Sequence, residues 1–106
     1  MTDLSDLINH DLKLVNVTNS GNIFTDNGNK ITCLLKPTNR SFKGKKKKPV
    51  YYLSLIKNDK ATYLSGLFAT NDSQVFSADY KDGIGMKHIV MICFANAGKS
   101  MTVRAA

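Results

Sequence analysis

A chain of 106 residues has room for one hydrophobic core but not comfortably for two, so a single domain over 1–106 is expected. Its net charge of +7 is local: residues 1–26 sum to −3 (one Lys, four Asp), residues 27–58 to +9 (nine basic, none acidic) and residues 59–106 to +1 (five basic, four acidic). No stretch approaches the ~20 consecutive apolar residues of a membrane-spanning helix, and the acidic start Met1-Thr2-Asp3-Leu4-Ser5-Asp6 is unlike a secretory leader. The expected location is therefore the cytoplasm, that of a host cell if the protein is viral. All eight acidic residues are Asp. Glu is the better residue inside a helix, so this usage points away from a helical protein.

In chain order, Leu4, Leu7 and Ile8 fall at helical spacing, and Thr2 or Ser5 is placed to cap a helix of at most two turns over Asp3 to Asn9. From Leu12 the apolar period becomes two. Leu12 to Thr18 reads as a strand, Asn19 to Asn22 as a turn, and Ile23 to Thr25 as a short extended segment. Asp26-Asn27-Gly28-Asn29 is the strongest hairpin signal, since Asn-Gly suits the positive φ values of a type I′ turn. Lys30 to Lys36 forms the next strand, closed by Pro37, and a flexible basic loop is predicted over 37–49.

Val50 to Ile56 and Ala61 to Thr70 make a second hairpin about Asn58-Asp59. Within the latter strand Ser65-Gly66 lacks side-chain bulk, the mark of a bulge, a bend or a close approach by another group. Val75 to Tyr80 follows. Lys87 to Ala95 is the most apolar strand and the expected centre of the core, and Met101 to Arg104 adds a last edge. The fold class predicted is all-β: a small OB-like barrel or sandwich of six to seven short antiparallel strands with a short N-terminal helix.

Cys33 and Cys93 sit in apolar runs without metal or redox spacing and read as buried free thiols. No pairing of them with His10 or His88 has the close ligand spacing of a zinc site, so no metal is expected. Asp79 and Asp82 lie three apart across a turn without a third acid nearby, which favours turn formation over metal chemistry. Asn96-Ala97-Gly98-Lys99-Ser100 imitates the end of a phosphate-binding loop, but Cys93 stands where its first glycine belongs. No catalytic residue and no cofactor follow from the sequence, and a non-enzymatic protein is expected.

The densest feature is Lys43-Gly44-Lys45-Lys46-Lys47-Lys48, preceded by Phe42 and followed by Tyr51 and Tyr52. Lysines also guard sheet edges, but five in six residues exceed that need. Clustered cations attract an anionic partner by displacing its counterions, and aromatic rings beside them are the second component of a single-strand groove. Tyr51 is in phase with Leu53 and Leu55 and should face the core, leaving Tyr52 on the other face. Tyr63 is expected outside, in phase with Ala61, Ser65 and Leu67. The nucleic-acid-binding set is thus Lys36, Arg40, Phe42, Lys43, Lys45, Lys46, Lys47, Lys48, Tyr52, Lys57 and Tyr63.

In composition and strand rhythm the chain is similar to small single-stranded-DNA-binding proteins of phages and plasmids. That resemblance implies sequence-nonspecific binding in replication or recombination. Single-stranded DNA is favoured over RNA or duplex, and pairing of the last edge strand would give a homodimer. The competing reading is a small viral or bacterial factor that docks the same lysines on an acidic protein surface. No membrane partner is expected.

Overall fold

The computed structural model describes residues 3–28, 30–38 and 48–106. A 3-10 helix at Leu4–Leu7 precedes eight strands: β1 Asp11–Thr18, β2 Gly21–Thr25, β3 Thr32–Pro37, β4 Tyr51–Lys57, β5 Lys60–Ala69, β6 Val75–Lys81, β7 Lys87–Ala95 and β8 Ser100–Ala105. Each strand pairs antiparallel with the next, and β8 returns to β1, closing the barrel. The expected barrel is thus present with eight strands instead of six or seven. Its all-sequential order also differs from the five-stranded Greek key of an OB fold.

Both short segments that blurred the strand count are full members. β2 pairs on both sides, and β8 joins β7 to β1, so Met101 to Arg104 is no free edge. The route to a homodimer through a free edge of that last strand is therefore closed. At the start of β2, Gly21 has φ 142°, and a Cβ there would meet the Leu35 carbonyl oxygen of β3. Only glycine lets the two backbones come so close.

The core lies inside the barrel, where Leu12, Phe24, Cys33, Leu53, Leu67, Ile92, Met101 and Val103 are fully buried. Such an interior, with Lys13, Lys36 and Lys60 exposed, reverses the apolar-out pattern of a membrane barrel. A closed barrel has no central strand, which corrects the expectation for β7: Lys87, His88 and Ile89 are exposed, and only Val90 and Ile92 are buried.

The 3-10 helix is capped by Asp3 instead of Thr2 or Ser5. The Asp3 side chain accepts from the Ser5 amide at 2.8 Å, and Asp6 reciprocates toward the Asp3 amide at 3.3 Å. Leu4 and Leu7 are wholly buried in the core cluster. The segment touches β6, and Ile8 bridges Val103 of β8, so it crosses the end of the barrel from which β1 starts.

The turns differ from expectation in one place. Asp26 and Ile31 close the β2–β3 connection, with the Asp26 carboxylate accepting from the amides of Lys30 at 2.8 Å and Ile31 at 3.2 Å. Neither Asn27 nor Gly28 has positive φ, so this is no type I′ turn. The paired positive φ values that a two-residue hairpin demands occur at Asn58 (52°) and Asp59 (62°), between β4 and β5.

Candidate nucleic-acid interface and barrel mouth

The predicted site divides three ways. Arg40, Phe42, Lys43, Lys45, Lys46 and Lys47 lie outside the described residues, in the connection between β3 and β4. Its two ends are tied together, because the Thr38 amide donates to the Val50 carbonyl at 3.1 Å and the Thr38 hydroxyl to the Pro49 carbonyl at 2.8 Å. Lys48, half-buried, stands next to that tie.

Lys36, Tyr52 and Tyr63 do come together. Lys36 pairs with Tyr52, which pairs with Gly66, and one step along, Ser54 pairs with Tyr63. Directly opposed residues share a face, so these side chains occupy the outer surface of β3, β4 and β5. The Tyr52 and Tyr63 rings meet edge to face, their centroids 5.9 Å apart at 67°. Tyr63 is 62% exposed. Lys57, by contrast, ends β4 at the far rim, about 20 Å from Tyr51 at ~3.3 Å per residue.

Tyr63 is outside as expected, and so is Ala61, but Ser65 and Leu67 are not. The ladder shifts register at Leu64, so that Leu53 pairs with Ser65 and Ser54 with Tyr63. This bulge inverts the phase of the strand. Ser65 and Leu67 turn into the core, while Gly66 and Phe68 face outward. The anticipated close approach at Gly66 is also present: a Cβ there would stand 2.7 Å from that of Pro49, which lies over the strand.

Tyr51 does face inward with Leu53 and Leu55, and it belongs to a cluster that strand phase alone did not assemble. Phe24, Tyr51, Phe76 and Phe94 meet inside the barrel at centroid distances of 5.3–6.4 Å. They wall a cavity of about 300 Å³ at the end opposite the 3-10 helix. Asn22, Ser73 and Gln74 bring polar groups to it. The signal available in the sequence was the inward phase of each ring; what joined them was closure of the barrel.

The remaining motifs resolve into turns. Asn96, Ala97 and Gly98 all have positive φ and form the β7–β8 hairpin, where the Asn96 carboxamide donates to Ser100 Oγ at 2.9 Å. A strand on both sides rules out the strand-to-helix setting of a phosphate loop. Asp79 pairs with Lys87 at 3.3 Å, and Asp82 with His88 at 2.7 Å. Among the described residues no three His, Cys, Asp or Glu side chains are grouped to hold a metal. Cys33 is buried and Cys93 half-buried, both as free thiols. No described helix is long and apolar enough to cross a membrane.

Neither family models, nor characterised proteins, nor solved structures give a match to this chain.

Proposed function

We propose that the protein binds single-stranded nucleic acid, DNA foremost, without strong sequence preference. The carrying observation is the exposed Tyr63 ring set edge to face against Tyr52, in the sheet surface shared with Lys36. An edge-to-face pair leaves ring surface uncovered, and an unpaired base has a face to lay on it. Eight of the nine cations of the basic segment fall between the start of β3 and the end of β4, and the ninth, Lys30, lies just before β3. Lysine neutralises phosphate as a point charge and lacks the fork that reads guanine edges, which supports weak selectivity.

The test is a binding series with single-stranded DNA, duplex DNA and RNA of one length across a range of salt concentrations. Single-stranded DNA should bind tightest. With about four to six phosphates engaged, log K should fall against log salt with a slope of about −3 to −4, at ~0.7 per contact. Absence of binding to all three would overturn the proposal and leave the acidic-protein partner ahead.

A further inference from the structure

The cavity at the barrel end opposite the 3-10 helix lies inside the sheet, separate from the outer face of β3–β5. Eight strands enclose an interior that side chains nearly fill or that holds one small ligand. Here the two ends differ. Leu4 and Leu7 pack into one end, whereas the other holds a cavity of about 300 Å³ bordered by Asn22 of β2, by Ser73 and Gln74 of the β5–β6 connection and by Ala97 and Gly98 of the β7–β8 connection. That volume is at the lower limit of the ~300–1,000 Å³ typical of small-molecule sites, too small for a long acyl chain or a large macrocycle.

The wall chemistry narrows the occupant. Aromatic rings at 5.3–6.4 Å present both faces and edges to the space, an arrangement suited to another flat ring. Among the described residues no charged side chain lines it. An ionised ligand would lose its hydration there without a counter-charge, so the occupant is neutral within the pocket. Asn22 occupies an inward position of β2, opposite Leu35, and its carboxamide makes no hydrogen bond to the described residues. Gln74 offers a second carboxamide at the rim, likewise without a described side-chain partner. A carboxamide presents a donor and an acceptor side by side, complementary to the edge of a nitrogen heterocycle.

We infer that the barrel mouth binds one neutral planar heteroaromatic ring of nucleobase type, held among Phe24, Tyr51, Phe76 and Phe94 and oriented by the Asn22 carboxamide. Such a ring has two sources, a free nucleoside or an unstacked base of a bound strand. The inference does not rest on the outer-face reading, because a free nucleoside needs no phosphate contact.

The experiment follows the ring protons of Phe76 and Phe94 and the Asn22 side-chain amide by NMR. Adenosine, guanosine, cytidine and thymidine are titrated in turn, then a short single-stranded oligonucleotide, with toluene as an apolar control. Saturable shifts of these signals by at least one nucleoside or by the oligonucleotide are expected. Asn22→Ala should weaken that binding roughly ten-fold through loss of the hydrogen bonds and leave toluene unaffected. Ser73→Trp, an exposed rim position, should block the mouth without touching the core. If Ser73→Trp abolishes nucleoside shifts but spares oligonucleotide affinity, the ligand is a free base or nucleoside. If it weakens the oligonucleotide at unchanged salt slope, a base of the strand enters the barrel. Failure of both nucleosides and oligonucleotide to shift these signals overturns the inference, even if the oligonucleotide binds elsewhere. Toluene binding as tightly as any nucleoside, with Asn22→Ala silent, also overturns it.

Discussion

Pro49 lies directly over Gly66, so near that a Cβ on residue 66 would stand 2.7 Å from the Pro49 Cβ and 3.1 Å from its Cγ. A proline ring cannot swing aside like the end of a long side chain, so added bulk must displace the strand or the chain entering β4. Gly66→Ala should destabilise the fold by about 1–3 kcal/mol, the usual cost of overpacking, measured by denaturant unfolding. Pro49→Gly in the same chain should recover much of that loss, because the clashing carbons are gone. Wild-type stability of Gly66→Ala alone would show that the approach is readily relaxed.

Tyr63 separates stacking from charge. Tyr63→Ala should weaken single-stranded DNA binding by ~1–3 kcal/mol while the salt slope stays constant, since no phosphate contact is lost. Replacing Lys45 through Lys48 together by Ala should instead flatten the slope by about one to three units at ~0.7 per phosphate. Equal slopes for the lysine variant and wild type would take the lysine run out of the interface. An unchanged affinity for Tyr63→Ala would do the same for the aromatic face.

The strands were largely legible because period-two patterning and turn residues act locally. All eight were visible as segments, and Lys87 to Ala95 kept its bounds, yet closure was hidden since it depends on whether the last strand reaches the first. The outward placement of Tyr52 followed from alternation. That of Tyr63 came out correctly for an incomplete reason: the bulge at Leu64 reverses the phase, which local sequence announced only as missing bulk at Ser65-Gly66. The Asn-Gly signal named the right hairpin and the wrong geometry, because Asp26 organises a longer connection through its carboxylate. The aromatic cavity was least legible, as Phe76 and Phe94 meet Phe24 and Tyr51 only once four separate strands close around them.

Cys33 should behave as a core residue that titrates late. Burial raises its thiol from 9.0 to about 12, and the nearby Asp26 carboxylate adds to the rise. In the unfolded chain the thiol ionises near its ordinary value, so its stabilising contribution is intact below about pH 9 and is lost as pH rises toward about 12. Unfolding curves should therefore show an alkaline loss of stability that Cys33→Ala reduces. A disulfide reagent at pH 8 should modify half-buried Cys93 first and reach Cys33 only on unfolding. Equal reaction rates in the native protein would contradict this burial.

Asp82 gives the opposite pH dependence and acts on a turn. Its Oδ1 accepts from the amides of Ile84 at 3.0 Å and Met86 at 2.9 Å, while Oδ2 lies 2.7 Å from His88 Nε2. The His88 ring in turn stacks on Tyr80, with centroids 5.1 Å apart. The hydrogen bond with His88 leads in holding the carboxyl below its usual 3.8; desolvation, the next largest influence, opposes it, and the Met86 and Ile84 amides add to the lowering. Because the folded value is the lower one, the turn's extra stability is present above 3.8 and disappears as pH falls through that lower value. The amide resonances of Ile84 and Met86 should consequently move together in that acid range and exchange faster with solvent below it. Asp82→Asn keeps an oxygen for both amides and should hold the turn without the titration, whereas Asp82→Ala should loosen it at every pH. Ile84 and Met86 amides that do not respond to acid would show that the turn is held by its backbone alone.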